Sequence, residues 1–183
     1  MKAIFLDRDG VINVDKQYIC KIEDFTFIPG VFEAVKKARD SGYKIFVVTN
    51  QSGIALKYYS ESDYKILTEW MIKQFKEKGI VFDGIYYCPH HSNGTDKEYT
   101  KECECRKPKA GMILQAAKEY NIDLSKSFVI GDKTSDIKSG QSAGCKTILV
   151  KTGYGGRDKK CDVKPDYVAD DLLSAVNLIV DQS

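Results

Sequence analysis

Ala3-Ile4-Phe5-Leu6-Asp7-Arg8-Asp9-Gly10 brings four apolar residues straight into two acids and a glycine. The apolar run has the length of a short buried strand, and the glycine marks its turn. In extended backbone residues i and i+2 project to one side. The spacing therefore predicts that Asp7 and Asp9 face one space while Arg8 turns away. Taken alone, this junction is also what a plain strand end looks like, so the remainder of the chain has to separate the two readings.

Similar runs recur at Lys44 to Val48, Gly84 to Tyr87, Ser127 to Ile130, Lys146 to Val150 and, more weakly, Asp166 to Val168. Between them Val31 to Ser41, Glu61 to Lys78, Lys109 to Tyr120, Ser135 to Ala143 and Asp170 to Asp181 have helical periodicity. Strands alternating with helices predict an α/β fold with a parallel sheet. Tyr64, Leu67, Thr68, Met71, Ile72 and Phe75 form the core-facing stripe of the second helix, with Trp70 beside it as a packing residue. Ser60 and Asp63 read as a cap, and Gly42 and Gly79 follow two helix ends. Pro89 to Pro108 and Thr152 to Pro165 remain as long loops, a length that usually signals function or an external tie.

Ligands of open parallel sheets bind beyond the carboxyl ends of the strands. Three runs deliver polar groups there: Asp7-Arg8-Asp9, Thr49-Asn50-Gln51-Ser52-Gly53 and Asp132-Lys133-Thr134-Ser135-Asp136. Asp132 with Asp7 suits a hard divalent cation such as Mg2+, and Thr49 with the glycine turn after it suits an anion. Asp136 is both a helix-cap candidate and a member of this edge.

The 183 residues hold 28 Lys plus Arg against 26 Asp plus Glu, a net charge of +2, which argues for a small partner over nucleic acid or a membrane surface. No apolar run approaches the roughly 18 residues of a membrane span. The short apolar start before Asp7 is no signal-peptide core, so a cytoplasmic location is expected, where cysteines stay reduced. Of six cysteines, Cys20, Cys145 and Cys161 are scattered bystanders. Cys88-Pro89-His90 and, twelve residues on, Cys103-Glu104-Cys105 offer a Cys3His set of the closed, structural zinc type. The single-residue spacing inside each pair is tighter than common zinc motifs, and buried thiols with a surface histidine are the alternative. A zinc-held binding module is the non-enzymatic reading; few basic clusters beyond Lys97 to Lys109 speak for it.

Four motifs in order resemble the haloacid dehalogenase-type phosphohydrolases: Phe5 to Gly10, Val48-Thr49-Asn50, Arg106-Lys107-Pro108, and Ile130-Gly131-Asp132 with Asp136. The resemblance implies a Rossmann-like three-layer sandwich around a central parallel sheet, one domain over residues 1–183, with no large cap domain and a zinc-held loop at 88–108. It implies Asp7 as nucleophile and Asp9 as general acid and base, with Asp9's side chain free to carry a proton. It also implies Mg2+ on Asp7, Asp132 and the Asp9 backbone carbonyl. Thr49, the Asn50 N–H and Lys107 would stabilise the phosphoryl group.

Within the family, Asp7 to Asn13, Thr49 to Ile54, and Cys88 to Pro108 resemble the heptose-bisphosphate phosphatases, with histidinol-phosphate phosphatases as the alternative. The twelve residues between the Cys and His pairs, and Ser52, favour the former. This subgroup implies zinc on Cys88, His90, Cys103 and Cys105, with His90 preferred over His91. It implies substrate contacts from Asp15, Lys16, Gln17, Tyr18, Thr49, Asn50, Gln51, Ser52, Arg106, Lys107 and Lys133. It further implies a monomeric cytoplasmic enzyme that makes activated heptose for bacterial surface glycans such as lipopolysaccharide. Gly153 to Lys160 has no counterpart in that pattern, and a mobile flap or a simple linker are the readings open to it.

Overall fold

A computed structural model of the chain describes residues 1–181. The apolar runs form β1 (Ala3–Leu6), β2 (Lys44–Asn50), β3 (Gly84–Cys88), β4 (Phe128–Gly131), β5 (Lys146–Val150) and β6 (Tyr167–Ala169). They pair in parallel throughout, in the order β3-β2-β1-β4-β5-β6. The helices are α1 (Val31–Asp40), α2 (Glu61–Lys76), α3 (Gly111–Tyr120), α4 (Thr134–Ala143) and α5 (Leu172–Val180).

Strand alternation divides the core between two faces. Ile4 and Leu6 of β1, with Ile45, Val47, Ile130 and Ile148, meet Ala34 and Val35 of α1, Leu67, Met71 and Phe75 of α2, and Ala175, Val176 and Ile179 of α5. Ala3 and Phe5, with Phe46, Val48 and Val129, meet Met112, Ile113 and Ala116 of α3 on the opposite face. Both faces of the sheet are covered, which is why its strands read as near-continuous apolar runs. Each fully buried side chain of this kind contributes about 1.5–3 kcal/mol. Trp70 packs as expected, against Phe25 and Phe27.

The expected element limits hold to within two residues, and the differences have local causes. β2 runs on through Thr49 and Asn50 because β3 continues beside it, pairing Thr49 with Tyr87 and Asn50 with Cys88. α3 starts at Gly111, after a turn in which Lys109 N–H bonds the Arg106 carbonyl. The Ser60 and Asp63 capping box opens α2, and Gly144 in the left-handed region closes α4 before β5.

Candidate active site

At the end of β1 the Asp7 N–H still bonds the Ile130 carbonyl of β4, and there the strand geometry stops. The Arg8 carbonyl accepts from the amides of Val11, Ile12 and Asn13, a tight reversal that passes through Gly10 at φ 89°. Any side chain at Gly10 would run into the Asp132 carboxylate. The reversal abolishes the alternation on which the Asp7 and Asp9 expectation rested. Arg8 does not turn away to solvent: it is buried, and its guanidinium grips the Asp9 carboxylate at 2.9 Å. Asn13 Nδ2 and Gln51 Nε2 also donate to that carboxylate. Burial works to raise the Asp9 carboxyl, but Arg8 and Asn13 outweigh it and hold it below the usual carboxylate range. In this arrangement the Asp9 side chain is tied by Arg8, Asn13 and Gln51.

Asp7, Asp132 and Asp136 converge instead, with candidate ligand oxygens all within 4.8 Å of one another. Between them lies the ammonium of Lys107, 4% exposed, at 2.9 Å from Asp7 Oδ1, 2.6 Å from Asp136 Oδ1 and 2.8 Å from the Val48 carbonyl. Burial works against the Lys107 charge, and Asp136 and Asp7 more than restore it, so its pKa is raised. One buried ammonium does not balance three buried carboxylates. Burial, together with Asp7 and Asp136, pushes Asp132 up to about 8 in spite of Lys133. Asp132 Oδ2 accepts the Tyr154 N–H at 2.7 Å, while its buried Oδ1 has no hydrogen-bond partner. A hard divalent cation fits this donor set: buried carboxylate oxygens, a surplus of negative charge and an orphaned acceptor.

Above the cluster opens a cavity of about 390 Å3. Asp9, Asp15, Gln17, Tyr18, Asn50, Gln51, Ser52, Arg106, Lys107 and Lys133 line it, which brings most of the expected substrate contacts together. Lys16 and Thr49 are the exceptions: the Lys16 ammonium bonds the Asp24 carbonyl and Thr26 Oγ1, away from the lining. Thr49 is buried just outside the lining, with its hydroxyl accepting from Gln51 Nε2 at 2.9 Å. The Asn50 side chain holds the Lys107 main chain at both ends, accepting its N–H at 3.0 Å and donating to its carbonyl at 3.1 Å. Arg106 donates to Ser52 Oγ and the His90 carbonyl, and Lys133 bonds Asp15 at 3.0 Å.

One layer out, Cys88, Cys103 and Cys105 Sγ and His90 Nδ1 gather at separations of 3.3–3.8 Å. Tetrahedral zinc, with bonds of about 2.3 Å to sulfur and 2.0 Å to nitrogen, requires edges of about that length. The set therefore fits zinc and leaves no open coordination position. His91 is engaged elsewhere, its Nδ1 accepting the Asn93 N–H.

Residues 104–175 match the model of the HAD-hydrolase-like family. Over 96% of the chain and 98% of the relative, the sequence is 53% identical to the D-glycero-beta-D-manno-heptose-1,7-bisphosphate 7-phosphatase of Haemophilus ducreyi. The chain belongs to the heptose-bisphosphate phosphatase family of haloacid dehalogenase-like hydrolases. It is also 50% identical, over 84% of the chain and 85% of the relative, to the D-glycero-alpha-D-manno-heptose-1,7-bisphosphate 7-phosphatase of Photorhabdus laumondii. A crystal structure of D,D-heptose 1,7-bisphosphate phosphatase from B. bronchiseptica, complexed with magnesium and phosphate, superposes with a TM-score of 0.87 at 30% identity over the whole of both chains. Membership makes the chain a phosphatase and removes the reading as a zinc-held binding module.

Asp136, expected both as a cap and at this edge, is both: it accepts the Lys133 N–H at 3.0 Å, and its second oxygen carries the Lys107 ion pair. Several cavity residues escape a reading of the sequence. Tyr59, Ser135, Tyr154 and Lys160 also line the cavity. Tyr154 and Lys160 belong to the loop after β5, which is neither a loose flap nor a plain linker. Thr152 Oγ1 bonds the Gly10 carbonyl, Tyr154 N–H bonds Asp132, and Gly156 N–H bonds the Asp132 carbonyl. Gly153, at φ 62°, packs where a Cβ would overlap Asp132. The glycines at 153, 155 and 156 hinted at close packing without saying against what.

Proposed function

We propose that this chain hydrolyses the 7-phosphate of D-glycero-β-D-manno-heptose 1,7-bisphosphate, leaving the sugar 1-phosphate, by way of an aspartyl-phosphate on Asp7. The observation that carries this reading is the buried Asp7, Asp132, Asp136 and Lys107 cluster at the base of a cation-lined cavity. The relative at 53% identity supports the β-anomer.

The Arg8 N–H and Lys107 both hold Asp7 Oδ1, which orients the carboxylate and leaves Oδ2 without a hydrogen bond among the described residues. Oδ2 attacks phosphorus, and the bond from phosphorus to the sugar oxygen breaks. That oxygen takes its proton from Asp9, which must first exchange its hold on Arg8 for a proton. Charge leaves Asp7 as it becomes an acyl phosphate. Lys107, whose three donors are all engaged, follows that charge onto the phosphoryl oxygens. Water then attacks phosphorus, gives its proton to the ionised Asp9, and releases Asp7. The Thr49 hydroxyl and the Asn50 N–H assist at the phosphoryl group, and Asp15, Gln17, Tyr18, Gln51, Ser52, Arg106 and Lys133 orient the sugar.

Asp7, Asp132 and the Asp9 carbonyl would hold Mg2+, which would supply positive charge to offset the carboxylates and the charge of the phosphoryl group. Zinc on Cys88, His90, Cys103 and Cys105 would clamp the 88–108 loop that carries Arg106 and Lys107. The reaction serves activated-heptose synthesis in the cytoplasm, carried out by a monomer working as one domain over residues 1–183.

The test is Mg2+-dependent phosphate release from both heptose 1,7-bisphosphate anomers, histidinol phosphate and an aryl phosphate. Preference for the β-anomer is expected, and preference for histidinol phosphate would overturn the substrate assignment.

A further inference from the structure

Thr49 is 1% exposed near the end of β2, and its hydroxyl accepts from Gln51 Nε2 at 2.9 Å. The hydroxyl proton has no acceptor among the described residues. A hydroxyl carries one proton and two lone pairs, so an N–H arriving on a lone pair leaves the proton to be donated elsewhere. Its direction is therefore set by Gln51. The same Nε2 donates to Asp9 Oδ2 at 3.2 Å, so both of its hydrogens are spent, on Thr49 and on Asp9. An amide turned end for end would press Oε1 against the Asp9 carboxylate and offer Thr49 an acceptor, drawing the hydroxyl proton inward.

Tyr59 holds the amide the first way round. Its hydroxyl donates to Gln51 Oε1 at 2.5 Å, and burial pushes the phenol upward, so it stays a donor. The ring is itself confined. Gly53 passes so close that a Cβ there would lie 2.1 Å from Tyr59 Cε1. Ile54, Tyr59 and Tyr64 form one small buried cluster. Ser60 is the N-cap of α2, so Tyr59 and Tyr64 occupy the two positions of a hydrophobic staple. The start of α2 fixes the ring, the ring fixes the amide, and the amide fixes the hydroxyl.

We propose that Tyr59 and Gln51 are positioning residues for phosphoryl transfer, which together hold the Thr49 hydroxyl as a donor to the transferred group. The inference rests on the phosphoryl contact proposed above for Thr49. A donor oriented before the reaction costs no reorganisation as charge moves onto the phosphoryl oxygens, whereas a hydroxyl free to turn inward has to be turned back first. Tyr59 acts only through the amide, and the loss of its hydroxyl should be felt at Thr49.

The test is a double-mutant cycle over wild type, Tyr59→Phe, Thr49→Val and the double variant. It is read as kcat and KM on an aryl phosphate and on heptose 1,7-bisphosphate, with melting temperatures alongside. Tyr59→Phe keeps the ring, and is expected to lower kcat about tenfold on both substrates with KM within about twofold of wild type. Thr49→Val is expected to cost about a hundredfold in kcat, and adding Tyr59→Phe to it no more than about twofold further. Gln51→Leu, which removes the amide, should match or exceed the Tyr59→Phe loss on the aryl phosphate. A Tyr59→Phe loss as large in the Thr49→Val background as in wild type, a loss carried by KM on the sugar alone, or no loss at all would overturn the relay and leave the substrate assignment standing. Thr49→Val without a loss would overturn the Thr49 contact and the relay together. Preference of the wild-type enzyme for histidinol phosphate would overturn the substrate assignment alone, since the aryl phosphate reads the relay without the sugar.

Discussion

Asp7 combines orientation with residual charge: two donors fix one oxygen, and the partners that neutralise it are shared with Asp136. Asp7→Asn keeps the shape and removes the nucleophile. Phosphate release should fall by at least about a thousandfold with the fold retained by circular dichroism. Asp132 is the opposite case, a buried carboxylate with an orphaned oxygen. Asp132→Asn removes a carboxyl group whose ionisation burial opposes, so the chelator-treated variant should melt higher than chelator-treated wild type. Added Mg2+ should then raise the wild-type melting temperature and leave the variant's unchanged. Both residues were legible in the sequence, because a carboxylate just past an apolar run has few other reasons to be there. The side chain of Asp9 was not, since the three amides gathered by the Arg8 carbonyl replace strand alternation with a reversal that no two-residue period describes.

Elements are tied by fewer groups than pack them. Asp83, just before β3, bonds Arg39 of α1 at 2.7 Å, Lys44 of β2 at 2.8 Å and the Ile45 N–H at 2.9 Å. Burial opposes its charge, but Lys44, the Ile45 N–H and Arg39 together hold it below the ordinary aspartate range. A depressed folded pKa gives stability that is present above the unfolded value and lost as pH falls through the folded one. Asp83→Asn should therefore cost about 1–3 kcal/mol in urea melts near neutrality. The difference from wild type should shrink as pH drops below the unperturbed aspartate value of about 3.9. The cysteine loop is a second tie. Cys105→Ser should lower the melting temperature and the zinc content found by metal analysis together, with activity falling because Arg106 and Lys107 follow directly in the chain. Strands and helices were legible from periodicity and caps. The path of the two long loops was not, because loop routes are set by tertiary partners such as Thr134 and Asp132 that lie far away in sequence.

Across the molecule, a net charge of +2 conceals a charged site: Asp7, Asp132, Asp136 and Lys107 at the cavity base, and Asp9, Asp15, Arg106, Lys133 and Lys160 around its wall. Composition argued for a small partner over a polymer and could say nothing of this arrangement, which needs several strand ends brought to one edge. The layered sheet was legible, since alternating strands and helices admit few other solutions. The loop after β5 was not, and it lines the site without belonging to any of the four motifs. The cysteine cluster has a further consequence. Cys105 adjoins Arg106, and Lys107 is one residue on, so with zinc held there the phosphatase should be open to inactivation by peroxide although its chemistry is redox-neutral and needs no thiol. Oxidation of a ligating sulfur would eject the metal and slacken the backbone that aims the lysine. Brief peroxide treatment should release zinc and abolish turnover in parallel. A thiol reductant with added zinc should restore both, a dependence on cellular oxidant tone that nothing in the hydrolysis itself would suggest.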